Sequence, residues 1–379
     1  MISGVVFADH AAGSPLKAAV ATAMLEAMEG LPPNPSGAHR MARATANVLD
    51  AAREEVASLL GVSPRSIVFV GGGTEACNVA MRAGRDVTGM VTSPIEHSAI
   101  SAAAQREAQR RGLGLATMPV TPSGVVDVDA ALGCIPSGAL VALMAANNET
   151  GAIQPVGELR AALNALGRSV TLVSDAIGAA AVMGLDGVIE AADIVTIAGH
   201  KLGGPPSVAA MVIKETTMID PLVVGGGQEL SRRGGTPDVA GIVGFTTALR
   251  LSHEDLASGS VVALAQRRDR LQDAIVSAVD DAVVSAWDTE RLASHLHLRF
   301  PGLRSDELLL LLDQHGVCAS AGSACSSGAS TISHVLEAME VPTAEAKGAL
   351  RLSLSTSTTD AEIQEIATQV IGAVRQLRS

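Results

Sequence analysis

The stretch "DIVTIAGHKLGGPPSVAAMVIK" runs from Asp193 to Lys214. It reads as an apolar strand, a His-Lys pair, a Gly-Pro turn and a second apolar strand. Lysine is strongly hydrated and favours a solvated surface. A lysine at the tip of a buried strand, beside a histidine in a turn of Gly and Pro, therefore points to chemistry. The turn "GHKLGGPP" is too short for a crossover helix, so the strands that flank it are expected to pair antiparallel.

Outward from this hairpin, apolar runs alternate with amphipathic stretches from about residue 66 to 214. The runs are "SIVFV" (66–70), "GMVTS" (89–93), "GLATMPV" (114–120), "ALVALMAA" (139–146), "VTLVSD" (170–175), "DIVTIA" (193–198) and "SVAAMVI" (207–213). Helix-like segments such as "HSAISAAAQREAQRRG" (97–112) and "VGELRAALNALG" (156–167) separate most of them. This alternation predicts an α/β domain with a mostly parallel sheet. Two helices are expected before the sheet, at 14–30 and 39–61. A long charged-faced helix near 257–279 leads into a second domain, where "SHLHLRF" (294–300) and "ALRLSLS" (349–355) alternate like half-buried strands.

The 379 residues are 47% hydrophobic and 17% charged, the balance of a globular chain with a sizeable core. Aromatics are 1% and Tyr is absent, so aliphatic side chains must fill that core and no phenol serves as acid or base. The formal net charge is -12, and "RRDR" (Arg267 to Arg270) reads as a solvated helix face, so no nucleic-acid partner is expected. No apolar stretch approaches the roughly eighteen residues of a membrane helix, and "MISGVVFADH" lacks the pattern of a secretory signal. The four cysteines, Cys77, Cys134, Cys318 and Cys325, are scattered and form no CxxC, which points to a reducing, cytoplasmic setting.

Ligands of a parallel sheet bind outside the carboxyl ends of its strands. The first run ends in "GGGTEACN" (Gly71 to Asn78), a Gly-rich turn opening a helix, whose backbone N–H groups and Thr74 would suit a phosphate. It is neither GxGxxG nor GxxxxGK[ST], which argues against dinucleotide and P-loop sites. The second run ends in "SPIEHSAI" with His97, the fourth in "NNETG" with Asn148, the fifth in "SDA" with Asp175, and the sixth in "GHK" with His200 and Lys201. Each has an ordinary structural reading as a cap, a turn or a packed ring. Together they bring a Schiff-base amine, a carboxylate for a pyridinium nitrogen and a phosphate-binding helix start to one sheet edge. Those are the three handles of pyridoxal phosphate.

At this point the sequence resembles the group I cysteine desulfurases, which are pyridoxal-phosphate enzymes of aminotransferase class V and fold type I. The resemblance covers nearly the whole chain. It runs through "FADHAAGSP" (7–15), "NPSGAH" (34–39), "GGGTEACN", "IEHSAI", "NNETGAIQPV" (147–156), "SDAIG" (174–178), "AGHKLGGP" (198–205), "GGGQE" (225–229), "RRGGTPD" (232–238), "SAGSACSSGAS" (320–330) and "LRLSLS" (350–355). It implies a seven-stranded sheet in a large cofactor-binding domain over 11–255, and a smaller α+β domain over 1–10 and 256–379.

Carried over by position, the resemblance implies that Lys201 condenses with the cofactor aldehyde. Gly73, Thr74, His200 and Thr236 would hold the phosphate, with Thr236 reaching in from a partner subunit of a homodimer. Asp175 would pair with the pyridine nitrogen, and His97 would stack on the ring and help move protons. Asn148 would lie beside the ring and the substrate. Arg351 would clamp the substrate carboxylate, a task suited to a planar bidentate fork. Cys325, in a run of small residues that suggests a mobile loop, would take sulfur from L-cysteine as a persulfide, leave L-alanine, and pass the sulfur to an acceptor protein for iron–sulfur cluster or other sulfur-containing product synthesis. No metal is implied. The remaining cysteines read as structural.

Family members commonly carry Gln where this chain has Gly178, and Ser where it has Ala198. Each change removes one hydrogen bond to the cofactor, roughly 0.5–1.5 kcal/mol. The chain ends at Ser379, whereas relatives dedicated to iron–sulfur scaffold proteins often carry a further tail, so the identity of the acceptor stays open. The alternatives are a selenocysteine lyase or another class V enzyme, a binding protein with a decayed site, and, more remotely, a hydride-transfer enzyme.

Overall fold

The computed structural model describes residues 4–30, 32, 34–322 and 332–379. In chain order its strands are β1 (Val6–Phe7), β2 (Ile67–Val70), β3 (Met90–Thr92), β4 (Leu115–Thr117), β5 (Leu140–Ala142), β6 (Thr171–Asp175), β7 (Ile194–Ala198), β8 (Ala209–Ile213), β9 (Val283–Val284), β10 (His295–Arg299), β11 (Val317–Cys318) and β12 (Ala349–Ser353). Seven of them form one sheet in the order β2-β8-β7-β6-β5-β3-β4. Pairs among β3 to β7 are parallel, and β8 runs antiparallel to both β7 and β2. The expected seven runs and the reversed last strand are what the chain forms. The run at 139–146 yields only three ladder residues. Beyond Ala142 the Leu143 and Ala145 N–H groups still reach the Val173 and Asp175 carbonyls, at 3.0 and 2.8 Å, before the chain turns at Asn147.

Every residue of β7 and β8 is buried, because helices cover both faces of the sheet. The side chains obey the two-residue period of a strand. Val68, Val70, Met211 and Ile213 face the helices Gly73–Ala80 and Ser98–Arg111. Ile67, Phe69, Ala210 and Val212 face the opposite layer, with the helices Arg40–Leu59 and Val239–Ala257. Aliphatic groups dominate both layers. Each fully buried Val, Leu or Ile contributes about 1.5–3 kcal/mol, and the pair Phe69 and Phe245, edge to face at 6.3 Å, supplies the aromatic exception.

The hairpin that holds Lys201 is built by close approach. After β7 a single 3₁₀ turn, Gly199–Lys201, reverses the chain. The Gly199 N–H donates to Val208 and the Gly204 N–H to Gly199, at 3.0 and 2.9 Å. A Cβ on Gly199 would come within 2.9 Å of the Pro205 carbonyl oxygen, and one on Gly204 within 2.9 Å of that of Gly199. Only glycine lets the two arms meet there.

Beyond the large sheet, β10 lies between β12 and β9, antiparallel to both. The helices Ser260–Ala278 and Asp360–Leu377 pack against each other, the latter begun by a capping box of Thr359 and Glu362. The N-terminal β1 pairs in parallel with β11. This pairing supports the proposal that residues 1–10 go with 256–379. Among the described residues, no helix is long and apolar enough to cross a membrane.

Candidate active site

The carboxyl ends of β2, β3, β5, β6 and β7 converge on one cavity of about 240 Å³. Its walls include Gly73, Thr74, His97, Asn148, Asp175 and His200, together with Lys201 and Arg351. A larger cavity of about 800 Å³ shares Ala11, Asn148, Gly178 and Lys201 with it. Eight residues named from the sequence thus meet in one place. Thr236 does not join them. It is exposed, on the segment between Ser231 and Val239. Cys325 lies outside the described residues.

Asp175 is the last residue of β6 and is buried. Burial pushes its carboxyl upward, against the pull of the Ile177 N–H, which donates to Oδ1 at 2.9 Å. His97 caps the helix Ser98–Arg111. Its Nδ1 accepts the Ala99 N–H at 3.1 Å, so the neutral ring carries its proton on Nε2. Burial pushes the His97 ring downward, Asp175 draws it up, and the Lys201 charge pushes it down again. His200 is driven to about 4 by burial, with Lys201 and His97 adding to the effect. Both rings are therefore neutral at physiological pH. The Lys201 ammonium donates to the carbonyl of Ala11 and, at 3.1 Å, to that of Ala12. Its Nζ is thus anchored on the N-terminal segment "HAAG".

The turn after β5 is organised by Asn147. Its side-chain oxygen accepts the N–H groups of Glu149 and Thr150, both at 2.9 Å, and its amide donates to Ile95 at 3.1 Å. That turn presents Asn148 to the cavity, and the Asn148 carbonyl accepts from Nη1 of Arg351 at 3.0 Å. Arg351 is 1% exposed, pairs with Asp9 through Nη2, and leaves its buried Nε without a hydrogen-bond partner. A buried charged donor without a partner is costly.

The sequence reading missed several participants. Asp9 sits within "FADHAAGSP" but carried no role. Thr196 places its hydroxyl 3.3 Å from Oδ1 of Asp175. Cys77, read as structural, places its sulfur 3.7 Å from the other oxygen, Oδ2. Gly178 lines both cavities, and a Cβ there would lie at an ordinary 3.6 Å from that of Asn148. Packing does not demand glycine at this position. Ala198 is fully buried at the end of β7, with its Cβ turned toward Gly73.

The profile of the aminotransferase class V family matches residues 6–366. An "IscS-like cysteine desulfurase" of Mycobacterium tuberculosis is 36% identical over 384 aligned positions, covering 98% of this chain and 97% of the relative. A "Cysteine desulfurase" of Cereibacter sphaeroides is 35% identical, covering 99% and 97%. Among solved structures, a "NifS-like protein" superposes with a TM-score of 0.90 at 28% identity, over 98% of this chain and all of that one. The NifS-like protein from Rickettsia africae gives a TM-score of 0.86 at 26% identity, over 99% of both chains. The chain belongs to the aminotransferase class V family.

Cysteine desulfurases of this class are pyridoxal-phosphate enzymes. The residues present fit that cofactor. One cavity holds an amine, a buried carboxylate and the N-terminus of the helix Gly73–Ala80, with the neutral His200 beside them. Arg351, with its unpartnered Nε, lies on the same wall.

Proposed function

We propose that the protein is a cysteine desulfurase, converting L-cysteine to L-alanine and retaining the sulfur on Cys325 as a persulfide. The observation that carries this reading is the joint presence in one cavity of Lys201, Asp175, His97 and a buried Arg351 with an unmet donor. Bound pyridoxal phosphate supplies an aldehyde for amines and a pyridinium that accepts an electron pair.

The chain's own residues do the rest. Thr74, the Gly73 backbone and His200 would hold the phosphate, joined by Thr236 of a second copy. Asp175 would pair with the pyridine nitrogen and favour its protonated form. Arg351 and Asn148 orient the substrate by its carboxylate. The Lys201 amine takes the Cα proton, and His97, protonated on Nε2, serves proton transfers nearby. The Cys325 thiolate attacks the substrate sulfur. The S–S bond forms as the C–S bond breaks, and a proton delivered to carbon completes alanine.

Two observations support Cys325 as the acceptor. Gly322 packs so closely on Glu149 that a Cβ would come within 3.1 Å of Oε2, and Ser333 Oγ donates to the same oxygen at 2.5 Å. Glu149 adjoins Asn148 of the cavity, so the described residues Gly322 and Ser333, which come before and after Cys325 in the sequence, both meet the edge of the site. A homodimer is supported by the exposed Leu222, Val224 and Leu230 on the surface near Thr236. The thiols of Cys77, Cys134 and Cys318 are unbridged, which supports a reducing, cytoplasmic setting. The sulfur acceptor is a protein partner.

The test is direct. Purified holoprotein given L-cysteine releases equal alanine and sulfide with a reductant present. Lys201→Ala abolishes both, and Cys325→Ala abolishes the persulfide. Alanine formed at full rate by Cys325→Ala would remove the persulfide step. Preferential turnover of selenocysteine, untouched by that substitution, would favour the lyase alternative.

A further inference from the structure

Asp175 is held by three donors, two of them from residues that do not line the cavity. Oδ1 accepts the Ile177 N–H at 2.9 Å and the Thr196 hydroxyl at 3.3 Å. Oδ2 faces the Cys77 sulfur at 3.7 Å, within the reach of an S–H donor. The three donors come from three places. Ile177 follows β6, Thr196 is the cross-strand partner of Asp175 on β7, and Cys77 descends from the helix Gly73–Ala80 above the sheet. Cys77 is completely buried, and so is Thr196. Neither is among the residues lining the cavity, whereas Asp175 is.

We infer that Cys77 is a positioning residue for the cofactor, its thiol proton holding Oδ2 of Asp175 from behind so that the carboxylate keeps one orientation toward the pyridine nitrogen. The inference rests on the pyridoxal-phosphate reading above. A thiol suits the task because it is a weak donor. It fixes the oxygen without neutralising the charge that must keep the pyridinium protonated. Burial, reinforced by the adjacent Asp175 charge, pushes the Cys77 thiol well above its ordinary pKa, so the donor proton stays in place. The same burial rules out a second sulfur acceptor at this position, since that role needs an accessible thiolate.

Two measurements test the inference. In the apoprotein, the S–H stretching band of Cys77 is assigned by its loss in Cys77→Ser. The band is expected at the lowered frequency of a thiol bonded to a carboxylate, and it should rise in Asp175→Asn. A Cys77 band at the frequency of an unbonded thiol, or one unmoved by Asp175→Asn, overturns the bond. In the holoprotein, Cys77→Ala is expected to weaken pyridoxal-phosphate binding roughly 2- to 10-fold and to shift the visible absorption maximum. Cys77→Ser, which keeps a donor, should restore affinity. Equal loss in both variants, tracking a lowered apoprotein melting temperature, would reduce Cys77 to packing and overturn the role. A wild-type protein that takes up no pyridoxal phosphate would overturn the functional reading instead, and the infrared result would still decide the Cys77–Asp175 bond.

Discussion

Nη2 of Arg351 lies 2.7 Å from Oδ1 of Asp9, joining a guanidinium that is 1% exposed to a carboxylate from the other end of the chain. With Nη1 committed to the Asn148 carbonyl, two of the three nitrogens are occupied by the protein and Nε is left over. The arginine is thus fixed in direction by the protein itself.

Replacing that fork with a single point charge should be expensive for binding. Arg351→Lys keeps the charge but cannot serve Asp9, Asn148 and a substrate carboxylate together. A charge-assisted hydrogen bond contributes about 1.5–3 kcal/mol, so KM for L-cysteine should rise roughly 10- to 100-fold. Steady-state kinetics check this, and an unchanged KM would place the carboxylate elsewhere. Asp9→Asn keeps the shape and should raise KM less than Arg351→Lys does.

Restoring the hydrogen bonds absent at Gly178 and Ala198 should tighten the cofactor. A Cβ at position 178 meets no atom closer than 3.6 Å, so Gly178→Gln has room at its first carbon. Gly178→Gln and Ala198→Ser are each expected to lower the pyridoxal-phosphate dissociation constant about 2- to 10-fold. Equilibrium dialysis followed by absorbance measures it. No gain in either variant would mean that other groups already meet those cofactor oxygens.

Acid should weaken the fold through two buried histidines of β10. His295 and His297 are both held near 3 by burial, with Arg351 lowering each and Arg299 acting on His297. Their folded pKa values lie below the unfolded 6.5, so the unfolded chain binds the extra protons. Their stabilisation is complete above pH 6.5 and is lost as pH falls toward 3. Each histidine contributes a slope of about 1.4 kcal/mol per pH unit in that window. Denaturant titrations across it should show the decline, and His297→Asn should flatten it by about half. A decline as steep in that variant as in the wild type would assign it to other groups.

Glu96 should act in the opposite sense. Fully buried, it is raised by burial to about 8, although it accepts the Met144 N–H at 2.8 Å and the Ser93 hydroxyl at 3.0 Å. Its folded pKa exceeds the unfolded 4.5, so its contribution is complete below 4.5 and is lost as pH rises toward 8. Glu96→Gln mimics the protonated acid and should gain on the wild type by about 1.4 kcal/mol per pH unit through that window. Equal stability curves for the two proteins would show that the carboxyl ionises normally.

The elements that position the site were legible because local pattern and tertiary role agree in them. The runs at 66–70 and 193–198 became buried strands, and the brevity of "GHKLGGPP" foretold the reversal at β8. His97, Asn148, Asp175 and Lys201 could be grouped because strand ends share an edge whatever the register. Register itself is not written locally. That Thr196 faces Asp175 across β6 and β7 depends on how two strands slide, and so does the pairing of His297 with Arg351 across β10 and β12. Cys77 looked like packing for the same reason. Its helix had to be laid on the sheet before its sulfur met a carboxylate. Asp9 was hidden by distance along the chain, lying 342 positions from the arginine it holds.

The reversal at Gly199 to Gly204 has a further implication for turnover. Lys201 is rooted in a loop whose two arms are sewn into adjacent, fully buried strands, so the main chain beneath it has nowhere to drift. Under the proposed function, any movement of the Lys201 amine would fall to its flexible four-carbon stem alone. The lysine would then behave as a moored line, each catalytic cycle beginning again from the same berth.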